Sequence, residues 1–403
     1  MKKIGLSLII CLLYYISTFA CSGFYIEQGD KLLAGNNEDY INPNTKMWII
    51  PSEKGRFGKI VFGFDDYFPQ GGINEKGLFF DGFGAEQKKV LKSLGKPRYE
   101  KLYDNLTSEI LSTCATVEDV IAFFNGYNLE FLENAMMFFG DAKGNSIIIE
   151  GDTIIRKNAN FQIITNFRQS ETKNITCERY NKIYEMLSNN HKMSIDYCKG
   201  ILNAVHVEGN NGNSSTLYSQ VYDIKNLIIY VYNFHDFNNS VKIDLKEELK
   251  KGLKYYDLPS LLPQSSSFKQ SESEYMKNIY DEIKKRQIHN LDINNLKQFK
   301  GIYMAKSITP DNIPFYEDST KHISVTIENN RLVYTELYGD YFRANLIPEG
   351  ERDFFYKTNF NEYRVRFPKA LKDEFVFEVV SNDEVKYSWT CKKTKTAHNI
   401  LYK

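Results

Sequence analysis

Apolar and polar residues alternate in short bursts along most of this chain, and only Ile4–Ile16 forms a long apolar run. Period-two alternation predicts half-buried strands, and a period of about 3.6 predicts helices. On that basis strands are expected at Phe24–Glu27, Lys31–Ala34, Met47–Ile50, Lys59–Phe64 and Gly77–Gly82, followed by helices at Leu102–Ser112 and Val117–Asn125. Thr116 is a suitable cap for the second helix. Short β segments follow at Met136–Gly140, Ser146–Glu150, Thr153–Arg156 and Phe161–Thr165. Helical spacing returns at Cys177–Leu187 and Ser194–His206, and Thr216–Tyr222 with Leu227–Asn233 reads as a hairpin. Lys-rich Leu245–Tyr255 reads as a solvated helix face. Pro259, Pro263 and Ser265-Ser266-Ser267 mark Asp257–Ser273 as a linker, with a helix at about Glu274–Arg286. From Leu296 onward the pattern is nearly all short strands, the rhythm of a small antiparallel sandwich or barrel.

The N-terminus adds a different signal. Met1-Lys2-Lys3 is basic, Ile4–Ile16 is apolar, and Thr18 and Ala20 are the small residues of a cleavage site before Cys21. The apolar run is too short for a spanning helix. Cleavage after Ala20 exports the chain and leaves Cys21 with both a thiol and a free α-amine. A model thiol titrates near ~8.5 and an α-amine near ~7.7–8.0. The amine is therefore able to take the thiol proton, the logic of a terminal nucleophile. A lipid anchor also uses a cysteine at such a cut. Its signal normally carries Leu three residues and a small residue two residues before the cysteine, where this chain has Thr18 and Phe19.

Composition narrows the alternatives. The 403 residues suit two domains. Lys plus Arg and Asp plus Glu are each 51, so no basic field recruits nucleic acid or anionic lipid. Twenty-eight Phe and 28 Tyr supply a large core. With no second long apolar run, the mature chain is expected to lack a transmembrane segment; an oligomer is allowed. Of the remaining cysteines, Cys177 and Cys198 lie on neighbouring predicted helices, where either a disulfide or two buried thiols is consistent with the pattern. No Cys-x-x-Cys or His-x-x-x-His occurs, so neither a metal nor another cofactor is expected, and His206 reads as a core or surface histidine.

Cys21–Glu27 and Lys31–Ala34, joined at Gly29-Asp30, form a hairpin that returns Gly35-Asn36-Asn37-Glu38-Asp39 beside residue 21. Further landmarks are Gly72-Ile73-Asn74-Glu75-Lys76-Gly77-Leu78, the pair Thr165-Asn166 after a strand, and the late strand pair from Ser215 to Phe234. In this order and spacing, over about residues 21–255, the chain resembles the N-terminal-nucleophile linear-amide hydrolases. These include choloylglycine (bile salt) hydrolases, penicillin V acylases, acid ceramidase-like enzymes and isopenicillin N acyltransferase relatives. The resemblance implies an α+β chain: a four-layer αββα sandwich over 21–256 after a signal peptide at 1–20, a linker and helix at 257–292, and a small antiparallel β module at 293–403.

It also implies an activity: cleavage of a small-molecule linear amide through a thioester on Cys21. An acyltransferase differs only in whether an amine or water accepts the acyl group; a lipidated surface binding protein is the reading from another class. By resemblance Asp39 holds the terminal group and Asn166 stabilises the tetrahedral oxygen. The family's Arg is replaced by Asn36, which suggests Arg168 as a substitute cation. Its second oxyanion Asn is replaced by Gly84, leaving only a backbone N–H there.

Overall fold

The computed structural model describes residues 21–90, 95–97, 106–129, 132–189, 192–209, 214–309, 322–337, 342–358, 361–370 and 373–394. The expected signal peptide and the start of the helix predicted from Leu102 lie outside them. The chain is a mixed α/β protein, mostly sheet. In order come β1 (Ser22–Gln28), β2 (Lys31–Tyr40), β3 (Lys46–Ile50), β4 (Lys59–Gly63), β5 (Pro69–Asn74), β6 (Phe79–Gly84), α1 (Leu106–Thr113) and α2 (Val117–Asn125). Then follow β7 (Ala135–Gly140), β8 (Ser146–Glu150), β9 (Thr153–Arg156), β10 (Phe161–Ile164), α3 (Glu178–Ser188), α4 (Ile195–Ala204), β11 (Ser215–Asp223), β12 (Ile228–Asn233), β13 (Asp236–Asp244), α5 (Leu245–Lys250), β14 (Lys254–Asp257), α6 (Ser266–Lys284) and α7 (Ile293–Lys297).

The first sheet has the order β10-β1-β2-β11-β12-β13, the second β14-β3-β4-β5-β6-β7-β8-β9. Alternation along each strand divides the core. On β1, Cys21 and Tyr25 face the second sheet, whereas Phe24 and Ile26 face the other way, onto α3 and α4 with Ile183, Leu187, Ile201 and Leu202. On the second sheet, Phe79 and Phe138 point to the first, while Phe80 and Phe139 pack under α1 and α2 with Ile110 and Phe124. Thr116 caps α2 and forms a capping box with Asp119. The β1–β2 hairpin turns in two residues, with Gly29 at φ +58°, a backbone state glycine adopts without Cβ strain.

The described strands between residues 301 and 394 form a third, nine-stranded antiparallel sheet. Its edge strands, Arg343–Asn345 and Ile347–Pro348, are separated in the chain only by Leu346. The two edges therefore meet, and the sheet rolls on itself: the Tyr334 and Phe377 rings stack at 4.6 Å although three strands lie between theirs. Its core is continuous with Trp48, Ile50, Val61 and Tyr67 of the second-sheet region. The outer face of that sheet is thus shared, with helices over one part and the rolled sheet over the other.

Three expectations need correction. The serine run is a helix start rather than part of a linker: Ser265 Oγ accepts the Phe268 N–H, and α6 begins at Ser266. Only Leu245–Lys250 of the Lys-rich stretch is helical, and Lys254–Asp257 is an edge strand paired with β3. β5 and β13 were not predicted. β5 contains Gly71-Gly72, where a Cβ on Gly72 would lie 2.4 Å from the Ile60 carbonyl oxygen; β13 is a polar edge strand. No helix among the described residues is long and apolar enough to cross a membrane.

Candidate active site

Cys21 stands at the head of β1 and is 3% exposed. β1 pairs with β10 so that Gly23 faces Ile164, and with β2 so that Ser22 faces Asn37. Continuing each antiparallel register places Asn166 opposite Cys21 on one side and Glu38 on the other. Opposed residues share a sheet face, so Glu38 and its period-two neighbour Asn36 accompany the thiol into the space between the sheets. Asp81 of β6 completes this interior set from the facing sheet; its charge, like Glu38's, acts on the Cys21 thiol. Gly23 leaves room here: a Cβ would meet the Phe83 ring at 2.9 Å.

Asp39 reaches the sulfur through its backbone. Its N–H donates to Sγ at 3.5 Å, and the thiol lies 3.8 Å from its carbonyl oxygen. Its carboxylate turns instead to Thr216, whose hydroxyl donates to Oδ1. Thr216 Oγ1 in turn accepts the Val207 N–H at 2.8 Å, which leaves its own proton for Asp39.

The cation of the site is Arg179, in the first turn of α3, a residue the sequence reading passed over. Its Nη1 donates to the Cys21 carbonyl at 2.8 Å and to Ser22 Oγ at 2.9 Å, and its Nη2 to Asn166 Oδ1 at 3.2 Å. Guanidinium only donates, so the Asn166 atom it meets is the oxygen. The Asn166 amide nitrogen therefore points the other way and donates to the Gly84 carbonyl at 2.9 Å. Gly84 thus meets the site through its C=O. Arg168, suggested as a substitute cation, is occupied elsewhere, donating to the carbonyls of Glu86, Leu132 and Glu133. Cys177 and Cys198 are free thiols, and Cys177 Sγ accepts from Thr165 at 3.5 Å.

Burial dominates the electrostatics. It raises the Cys21 thiol well above its usual range, with the charges of Glu38 and Asp39 adding to the effect. Burial, then the charge of Asp39, pushes Glu38 up to about 8. Burial pushes Asp39 up to about 7 against the opposing Thr216 hydrogen bond and Arg179 charge. Asp81 is raised well above the carboxylate range by burial and by Glu38. Near neutrality Glu38 is thus held mainly as the neutral acid, and burial shifts Asp81 in the same direction. Asn36 lies near enough to Glu38 to favour its ionised form, yet neither polar atom of Asn36 makes a hydrogen bond. Glu38 Oε2, Asp39 Oδ2, both Asp81 oxygens and the Tyr218 hydroxyl likewise have no partner. Buried polar atoms are normally paired, so this concentration around one thiol marks a place prepared for a polar guest.

The arrangement brings together a thiol, an amide donor, a cation and carboxyls that burial shifts toward their neutral forms. Glu38 was legible in principle, since strict alternation puts it and not Asp39 on the Cys21 face. Arg179 was not, because only the packing of α3 against β1 and β10 brings it there.

No family model matches the sequence, and no curated protein matches it. Solved structures similar to the chain include a mutant conjugated bile acid hydrolase from Clostridium perfringens, at 18% identity and TM-score 0.46, covering 59% of this chain and 96% of that one. Another is penicillin V acylase from Agrobacterium tumefaciens, at 17% identity and TM-score 0.47, covering 62% of this chain and 98% of that one.

Proposed function

We propose that this chain is an exported cysteine amidohydrolase acting on a small linear amide, with Cys21 as its first residue after removal of residues 1–20. The observation that carries the reading is the placement of a buried thiol between Asn166 and Glu38 in register, ringed by unpaired polar atoms. The Cys21 α-amine takes the Sγ proton, and sulfur attacks the amide carbonyl. The spare N–H of Asn166 faces the developing oxyanion; one such donor is worth about 3–4 kcal/mol. The ammonium returns the proton to the leaving amine as the C–N bond breaks, and water then hydrolyses the thioester and restores the thiol. Asp39, held by Thr216 and moderated by Arg179, orients the terminal ammonium. The upward shift of Glu38 and Asp81 reduces the negative charge beside the thiolate and favours acids able to donate to the substrate. In this reading the helices over the first sheet, the two facing sheets and the helices over the second form an αββα catalytic unit across 21–256. Residues 293–403 are an accessory module covering the rest of the outer face.

The test uses the exported protein with a panel of N-acyl amino acids, penicillin V and conjugated bile acids. Edman sequencing is expected to begin at Cys21, and intact mass is expected to show an unmodified terminus that gains an acyl group under turnover. Cys21→Ala is expected to remove both turnover and adduct. Full activity in that variant, a lipidated terminus, or turnover by a form still extended before Cys21 sinks the proposal.

A further inference from the structure

A second cluster of chemically competent side chains lies outside the catalytic set. His206 and Glu208 follow α4, and His235 sits in the β12–β13 turn; one ligand atom from each lies within 4.8 Å of the others. His206 Nδ1 is 2.5 Å from the Asn203 carbonyl oxygen, an acceptor only, so this nitrogen donates and Nε2 is the one turned to Glu208. That Nε2 lies 3.0 Å from Glu208 Oε1. An imidazole nitrogen this close to a carboxylate oxygen shares either a proton or a metal ion with it. The carbonyl-anchored ring is the orienting arrangement found behind metal-bound histidines.

The third ligand is presented at a cost. Phe234 and His235 have φ of +47° and +50°, so both central positions of the two-residue turn between Asn233 and Asp236 are left-handed. Such turns favour Asn and Gly, and ordinary side chains held there are strained. The turn aims His235 across the gap, and its ring stacks on His206 at 5.4 Å.

We propose that His206, Glu208 and His235 form a binding site for a zinc-type divalent transition ion, with an open fourth position. Two imidazoles and one carboxylate suit such an ion by ligand softness and number. Bonds of about 2.0–2.2 Å in a tetrahedral site bring ligand atoms to roughly 3.3 Å apart. His206 and Glu208, at 3.0 Å, are close to that spacing, and side-chain rotation of exposed Glu208 adjusts the separations to His235. The ion would also brace the segment that supports the catalytic carboxyl. Val207, between two ligands, exchanges hydrogen bonds with Thr216 in both directions, at 2.8 and 2.9 Å, and Thr216 holds Asp39. That coupling rests on the amidohydrolase reading; the binding does not.

The experiment titrates the exported chain carrying Cys21→Ala with cobalt(II) chloride and reads the visible d–d bands, with zinc chloride as competitor. One cobalt per chain, displaced by zinc, is expected. His235→Asn, which tolerates the left-handed turn, and Glu208→Gln on the exposed side are each expected to weaken binding at least tenfold, on the scale of roughly 10–100-fold seen when metal sites are disturbed. Both variants are expected to keep the far-UV spectrum of the parent. Absence of stoichiometric cobalt binding, or binding unchanged in His235→Asn, overturns the site. Neither outcome depends on whether the chain cleaves amides.

Discussion

Arg179→Met separates a positioning cation from a structural one. The variant keeps an unbranched side chain and removes donors to the Cys21 carbonyl, Ser22 Oγ and Asn166 Oδ1. Buried hydrogen bonds to charged groups are worth about 1.5–3 kcal/mol each. Arg179 is half-buried, so water replaces part of this and the expected stability loss is about 1–2 kcal/mol in total. The catalytic loss is expected to be larger. Without the guanidinium, Asn166 keeps its side-chain bond to Gly84 but loses the one that fixes its oxygen, so its second N–H can turn away from the oxyanion of the proposed reaction. Loss of one such donor costs about 3–4 kcal/mol, roughly 10²–10³ in kcat. A second signature is electrostatic. Arg179 favours the ionised form of Asp39, which lies at about 7 with the cation present. Removing it raises Asp39 further, so the acid limb of the kcat profile moves to higher pH. Arg179→Lys restores the charge but not the fork, and is expected to return the pH limb while leaving kcat low. The assay is a kcat–pH profile on whichever panel amide turns over, beside urea denaturation. Wild-type kcat in Arg179→Met at any stability cost, or full recovery of kcat in Arg179→Lys, refutes the reasoning.

Glu38→Gln tests the neutral-acid account through stability. Glu38 is raised to about 8 in the fold from an ordinary value near ~4.3, so between these the folded state binds more protons than the unfolded one. Stability contributed this way is present below the lower value and is lost as pH rises toward 8; the urea midpoint of the parent is expected to fall from pH 5 to pH 8, and Glu38→Gln to flatten that decline. Trp48, 1% exposed, belongs to the core shared by the second sheet and the rolled one, so Trp48→Ala is expected to cost about 3–5 kcal/mol by urea denaturation. An unchanged midpoint would mean the two sheets are not mechanically joined. Lys59 is 1% exposed and its ammonium bonds the Ser108 carbonyl and the hydroxyls of Ser108 and Ser112, tying β4 to α1. Lys59→Met is expected to lower stability by about 1–3 kcal/mol, read in the same way, with little effect on kcat.

The chain's own pattern determined much of this protein. Phe24–Glu27, Lys59–Phe64 and Met136–Gly140 stand out as short, mainly apolar runs because each strand is covered on both faces. The Gly29-Asp30 turn closes a hairpin whose register brings Asn36, Glu38 and Asp39 back to Cys21. These are local effects, so they survive in one dimension. Other features depend on contacts distant in sequence. Arg179 meets Cys21 across 158 positions, Thr216 meets Asp39 across 177, and Asp81 reaches the thiol from the opposite sheet. Asp39, chosen from its motif, touches sulfur through its backbone because pleating turns its side chain toward Thr216. Gly84 contributes a carbonyl because the end of β6 aims that group at Asn166. His206, Glu208 and His235 have no metal-ligand spacing, and a strained turn alone brings them together. Local propensity chooses strands and turns, but a side chain's ionisation and hydrogen-bond partners follow from what packs over it, and only the folded sheets decide that.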